Sequence, residues 1–170
     1  MSARDRLRAA VAAAGLTVLA ATARADAPID QYGFFDSSAE VIQDLRTGLV
    51  WQRAASTQTM GFYDAAAFCG GLSLATPAGQ TIGWRVPSYK ELLTLVDETP
   101  HTEYVDEGLV EVWTDANAFP QTPVGSDYWT SSPYLTEPLS AYVVDFSDGY
   151  GGEQHTDAML YVRCVHDPPP

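Results

Sequence analysis

The chain has 170 residues, of which 46% are hydrophobic and 11% aromatic, so it is long enough to bury a substantial core. Its formal net charge is −13, and no Lys or Arg lies between Lys90 and Arg163. Binding to nucleic acid, anionic lipid or sulfated polysaccharide needs a basic patch, so this composition disfavours all three.

The N-terminus is typical of a secretory signal peptide. Arg4, Arg6 and Arg8 precede an apolar, Ala-rich run over residues 9–21, and the small residues Ala23 and Ala25 flank a cleavage point. The run is too short to span a bilayer, so we expect residues 1–25 to be removed and the remainder to be exported without membrane insertion. The predicted location is periplasmic or extracellular, and the mature chain would carry a net charge of −16.

The two cysteines, Cys69 and Cys164, are expected to form a disulfide, because the predicted compartment is oxidising. No CxxC or Cys-His spacing favours the alternative of a metal ligand or a reactive thiol. A loop of this length would gain roughly 4–5 kcal/mol of stability in the chain-entropy model.

After a polar lead-in over residues 26–40, the first half of the domain contains a hairpin and two helices. Residues 41–44 and 49–52 alternate as strands around Gly48, which can take a positive φ. Phe62, Ala65, Ala66 and Cys69 share a helical face, and Gly70-Gly71 predicts a left-handed C-terminal cap.

The second helix begins with the clearest local signal in the chain. Ser88 and Glu91 have the spacing of a capping box, directly after Pro87. Tyr89, Leu92, Leu93 and Val96 would then form one buried face.

The second half is predicted to be a long loop followed by strands. Residues 97–127 show no clear periodicity and are expected to be an irregular, packed loop. Strands are predicted over 128–132, 141–146 and 160–165. In the last of these, Leu160, Val162 and Cys164 would face the first helix. Residues 147–152 are expected to form a turn, and residues 167–170 a disordered tail.

Two helices, a long loop region and strands that end in a cysteine paired back to the first helix are the layout of the C-type lectin-like fold, of α+β class. In more detail, the chain resembles the Lcl C-terminal domain family, a bacterial secreted-domain family related to collagen-like adhesins. The resemblance covers residues 41–166 and rests on Asp44-x-x-Thr47-Gly48-Leu49-x-Trp51, Ala66-x-x-Cys69, Trp84-Arg85-x-Pro87-x-x-x-Glu91-Leu92, Tyr128-Trp129-Thr130-Ser131-Ser132, Val144-x-Phe146-x-Asp148-Gly149 and Tyr161-Val162-Arg163-Cys164-Val165. It implies a surface or periplasmic module, in some members an adhesion domain that binds host glycans.

The predicted loop supplies the candidate ligands for a metal. Calcium is bound by six to eight oxygen atoms, and this segment is rich in carboxylates and lacks Lys and Arg. The alternative is a solvated acidic surface, which is the more common role of such charge. The candidate calcium ligands are Asp97, Glu98, Glu103, Asp106, Glu107 and Asp115.

Three other side chains are candidates for contact with a ligand. Trp113 and Tyr134 lie outside the patterned segments, and aromatic faces can stack on sugars or peptides, whereas Trp51, Trp84 and Trp129 are expected in the core. Asn117 belongs to the same loop region. Arg85 and Arg163 are expected to pair with Glu91 or Asp145.

Three functions follow from these observations. The first is a non-catalytic binding or adhesion module for a glycan or a protein. The second is a structural or assembly module of the cell envelope that meets protein partners, including a second copy of itself. The third is a glycan hydrolase, for which the chain shows no G-x-S-x-G element and no specific pair of carboxylates.

Overall fold

The computed structural model describes residues 28, 30–34, 40–105 and 108–168. The predicted signal peptide, Asp106, Glu107 and the last two prolines lie outside these residues. Among the described residues, no helix is long and apolar enough to cross a membrane.

The described residues form two helices and three antiparallel sheets, which confirms the α+β class. In chain order the elements are β1 (Tyr32–Phe34), β2 (Val41–Asp44), β3 (Val50–Gln52), α1 (Phe62–Gly70), α2 (Tyr89–Leu93), β4 (His101–Val105), β5 (Gly108–Val112), β6 (Tyr128–Pro133), β7 (Ser140–Val144), β8 (Gly151–His155) and β9 (Val165–His166). The first sheet has the order β1-β2-β3-β9, the second is the hairpin β4-β5, and the third has the order β6-β7-β8.

The predicted hairpin of β2 and β3 is confirmed. Gly48 has φ of 78°, the left-handed conformation that its turn requires. Within the turn, the Asp44 carboxylate accepts hydrogen bonds from the Arg46 amide at 2.8 Å and from the Thr47 hydroxyl at 2.9 Å. The lead-in segment predicted before this hairpin contributes β1, which pairs with β2.

Helix α1 begins after Gly61 and buries Ala65 and Cys69. The left-handed cap predicted at its end is wrong: Gly71 has φ of −88°, and its amide donates to the Ala67 carbonyl at 3.0 Å, so an ordinary last turn closes the helix. Ala66, predicted on the buried face, is exposed.

Helix α2 confirms the capping box, because the Ser88 hydroxyl accepts from the Glu91 amide and the Glu91 carboxylate accepts from the Ser88 amide. The helix ends at Leu93, earlier than its apolar pattern predicts. Leu92 and Leu95 are buried, while Val96 is half-buried after the helix has ended.

The core consists of two clusters of buried side chains, one on α1 and one on α2. Strand β7 lies between them: Ala141 and Val143 join the α1 cluster, and Val144 joins the α2 cluster. The segment after Met159 alternates in the same way, and Leu160, Val162 and Cys164 face the α1 cluster as predicted. Only its end forms a regular strand, β9, which pairs with β3.

The predicted disulfide between Cys69 and Cys164 is confirmed. Both residues are fully buried in the α1 cluster, and their Cα atoms are 5.5 Å apart. The bond joins the last turn of α1 to the residue before β9.

Candidate functional site

A cleft of about 950 Å³ opens between the β4-β5 hairpin and the chain segment 121–125. Its size is within the range of ligand-binding pockets. No Lys or Arg is among the residues that line it, which are Glu103, Tyr104, Val110, Glu111, Gln121, Thr122, Pro123, Val124, Gly125, Ser147 and Tyr161.

One wall of the cleft is the hairpin, which replaces part of the irregular loop predicted over residues 97–127. In its register Glu103 lies opposite Val110, and Tyr104 lies opposite Leu109. Cross-strand partners project to the same face, so Glu103 and Val110 share one face while Tyr104 and Leu109 share the other. Tyr104 is 80% exposed and Leu109 is 72% exposed.

The opposite wall is the segment 121–125, which hydrogen bonds to the core hold in place. The Thr122 hydroxyl donates to the Phe119 carbonyl at 2.7 Å, and the Tyr128 hydroxyl donates to the Pro123 carbonyl at 2.7 Å. Gln121 has φ of 55°, a left-handed conformation that is uncommon outside glycine. Strained backbone of this kind often occurs at binding sites.

Arg163 lies behind this wall and is fully buried. Its guanidinium donates to the Thr122 hydroxyl at 3.0 Å, to the Gln52 carbonyl at 3.1 Å and to the Arg53 carbonyl, and it stacks on the Phe119 ring. Burial lowers the pKa of this guanidinium from its usual value. The expected pairing of Arg163 with Asp145 is therefore replaced by carbonyl and hydroxyl acceptors, whereas Arg85 does pair with Glu91 at 2.7 Å.

Glu103 contacts a histidine at the edge of the cleft. His101 Nε2 lies 2.9 Å from Glu103 Oε1, and His101 Nδ1 lies 2.9 Å from the Thr114 carbonyl oxygen. The contact occupies Oε1 of Glu103.

A second, smaller cavity of about 290 Å³ includes two of the predicted site residues, Asp115 and Asn117. The Asp115 carboxylate accepts hydrogen bonds from the amides of Asn117 and Ala118, both at 2.8 Å. Tyr32 and Phe34 of β1 provide its aromatic side. The Asn117 carbonyl accepts a hydrogen bond from Arg53 at 2.9 Å.

The other predicted ligand-binding residues, Trp113 and Tyr134, line neither cavity. Trp113 is half-buried directly after β5, and its ring lies against Gly149. Tyr134 packs edge-to-face on Tyr142, with their ring centroids 5.0 Å apart. The structure therefore does not bring Trp113, Asn117 and Tyr134 together into one site.

The predicted calcium ligands are also separated. Glu103 contacts His101, Asp115 caps the turn at residues 115–118, and the Asp97 carboxylate accepts from the Thr99 amide at 2.9 Å. Glu98 is exposed, and Asp106 and Glu107 lie outside the described residues. Within the described part of the chain, no three acidic, His or Cys side chains are placed to hold a metal ion. Calcium binding remains a prediction.

Comparison with known families agrees with the sequence motifs. The family model for the Lcl C-terminal domain matches residues 40–166. The chain belongs to this family. The β4-β5 hairpin and the segment 121–125 are both within the matched residues, so the cleft is part of the Lcl C-terminal domain itself.

A solved structure, the crystal structure of CEL-IV, is 14% identical in sequence to this Lcl C-terminal domain. The match covers 83% of this chain and 94% of that chain, with a TM-score of 0.38. No curated protein matches the chain.

Most residues of the cleft carry no sequence signal that would identify them as a site. Gln121, Thr122, Pro123 and Val124 carry no motif. Tyr161 belongs to a family motif in a predicted strand, but the motif assigns it no ligand. Glu103 was assigned to the acidic loop as a metal ligand. The one available signal was the run of Pro123, Gly125 and polar residues, which indicates an exposed turn but no partner.

Proposed function

We propose that this domain is a non-catalytic binding module with a C-type lectin-like fold, exported from the cytoplasm, and that it binds a glycan in the cleft between the β4-β5 hairpin and the segment 121–125. The cleft is the observation that carries the proposal. Export is supported by the buried disulfide, because such bonds persist in oxidising compartments.

The lining chemistry favours a glycan. Tyr104 and Tyr161 offer aromatic surface to the apolar face of a sugar ring. Glu111, Gln121 and Ser147 offer acceptors and donors for sugar hydroxyls. The cleft therefore combines the two kinds of contact that a polyhydroxylated ligand needs.

The test is a glycan microarray probed with the purified, disulfide-bonded protein, followed by affinity measurements on the glycans that bind. Tyr104→Ala should reduce affinity about tenfold, since one aromatic contact is worth roughly 1 kcal/mol or more. Tyr63→Ala is the matched control, because Tyr63 is 70% exposed on α1 and does not line the cleft. Equal affinity in both variants, or no glycan bound, would refute the proposal.

A second candidate, an assembly module, is favoured by the cross-strand pair of Tyr104 and Leu109, which are both exposed on the hairpin. Neighbouring exposed apolar side chains of this kind can contact a protein partner. Analytical ultracentrifugation of the wild type and of Leu109→Lys tests the assembly module. Self-association of the wild type that Leu109→Lys abolishes would support assembly through the pair of Tyr104 and Leu109.

A further inference from the structure

We infer that the cleft recognises a protonated amine on its ligand, so that among glycans it prefers oligomers of free amino sugars to their N-acetylated or sulfated counterparts. This inference rests on the proposed function and specifies the ligand class for the same cleft.

The lining of the cleft is negatively charged. Glu103 and Glu111 are the ionisable carboxylates in the cleft, and neither Lys nor Arg is among its lining residues. The surrounding sequence does not compensate this negative charge, because the whole stretch between Lys90 and Arg163 lacks Lys and Arg. An anionic ligand would be repelled here, and a cationic group would be attracted.

The basic side chains nearest to the cleft are already engaged in contacts within the protein. Arg163 is fully buried behind Thr122, and its guanidinium donates to backbone carbonyls and to the Thr122 hydroxyl. His101 contacts Glu103 through Oε1 only, and Glu111 belongs to the other face of the hairpin, away from His101. Glu111 therefore has no counterion from this histidine.

Aromatic rings are part of the same lining as these carboxylates. An ammonium group is stabilised by the face of a tyrosine ring as well as by a carboxylate. Tyr104 is 80% exposed and lies on the same face of the hairpin as Glu111, because Tyr104 pairs with Leu109 and Glu111 is two residues further along β5. Tyr161 is half-buried in the same lining. The combination of acidic and aromatic groups distinguishes this cleft from one that is suited to neutral sugars alone.

A glycan is a better candidate than a basic peptide to carry this amine. The lining also contains Gln121 and Ser147, whose neutral polar groups match ring hydroxyls. The volume of about 950 Å³ accommodates more than one sugar ring. An oligomer would place repeated amines along a cleft whose lining contains both Glu103 and Glu111.

The experiment compares three probes by calorimetry at low salt and slightly acidic pH: the β-1,4 tetramer of glucosamine, the same tetramer fully N-acetylated, and tetralysine. We expect the glucosamine tetramer to bind at least tenfold more tightly than the acetylated one. The double variant Glu103→Gln/Glu111→Gln should lose this preference. The control Glu40→Gln/Glu137→Gln removes the same charge from exposed residues outside the cleft and should keep it.

Several outcomes would overturn the inference. If both tetramers bind equally well and Tyr104→Ala weakens both, the cleft is a glycan site without amine selectivity, and the proposed function stands alone. If the control variant loses the preference as fully as the cleft variant, the attraction comes from the general negative charge of the protein. Tetralysine binding as tightly as the glucosamine tetramer would contradict the assignment to a glycan, and so would a failure of both tetramers to bind.

Discussion

The Tyr89 ring occupies the space that a side chain at Gly151 would need. A Cβ atom added to Gly151 would lie 2.6 Å from Cε2 and 2.7 Å from Cζ of Tyr89, with the phenol oxygen closer still. Tyr89 is also stacked on Tyr142, with ring centroids 4.6 Å apart. The absence of a side chain on the first residue of β8 therefore allows α2 to pack on the third sheet.

Replacing Gly151 with Ala should destabilise the protein by about 1–3 kcal/mol, because the Tyr89 ring must leave its stacked position. Urea unfolding measures the change. Gly152→Ala is the matched control, since its added Cβ would meet only Val143, at 3.9 Å. In a Tyr89→Leu background the cost of Gly151→Ala should shrink, and an equal cost in both backgrounds would show that the ring is not the cause.

The Arg85–Glu91 pair should make stability depend on pH in the acid range. The guanidinium donates to both carboxylate oxygens, at 2.7 and 2.9 Å, and these bonds hold the pKa of Glu91 at about 2, below its usual 4.5. A lowered folded-state pKa stabilises the protein above pH 4.5, and this contribution is lost as the pH falls from 4.5 towards 2.

Glu91→Gln should therefore cost about 1–2 kcal/mol at pH 7, after allowance for the partial exposure of Arg85. Chemical unfolding at several pH values provides the measurement. The difference in the free energy of unfolding between wild type and Glu91→Gln should shrink as the pH falls below 4.5. Glu98→Gln, at an exposed acid, should show no such gap, and a pH-independent gap for Glu91→Gln would contradict the assigned cause.

Arg163 should be required to hold the wall of the cleft. Arg163→Met removes the donor for the Gln52 carbonyl and the Thr122 hydroxyl, and buried acceptors without a partner cost about 1–3 kcal/mol each. We expect a total loss of about 2–4 kcal/mol, with faster amide exchange over residues 119–125. Arg46→Met, in the exposed turn of the first hairpin, is the control. Unchanged exchange in the wall segment would show that Arg163 does not position it.

Calcium binding is testable by thermal unfolding in millimolar calcium, in magnesium and in chelator. A rise in melting temperature that is specific to calcium would indicate a site in the folded state, because binding to the native protein stabilises it. Asp97→Asn and Asp115→Asn would then identify the ligands. No calcium-specific change would refute the prediction.

Local signals in the sequence predicted the features that depend on neighbouring residues. The capping box of Ser88 and Glu91 and the turn at Gly48 are satisfied within a few residues, and the two cysteines had only each other as partners. These features need no knowledge of the tertiary structure.

The sequence does not predict the β4-β5 hairpin, because its apolar residues are not the ones that are buried. One face carries the exposed apolar side chains of Tyr104 and Leu109, whereas the other face carries the half-buried Glu103. Alternation in hydrophobicity therefore does not report which side is exposed. Strand β8 was missed for another reason: its Gly151-Gly152 start is typical of a turn, and only the contact with Tyr89 explains the first glycine. The cleft itself joins residues from 103 to 161, so no single segment could reveal it.

The disulfide has a consequence for proteolysis of the domain. It closes a covalent ring that contains everything between Cys69 and Cys164, including both walls of the cleft. A single cut anywhere in that ring opens the chain but releases no fragment, so the nicked protein migrates as one band until a reductant is added. Cleavage at an exposed turn would thus leave the two halves of the cleft tethered to the same core.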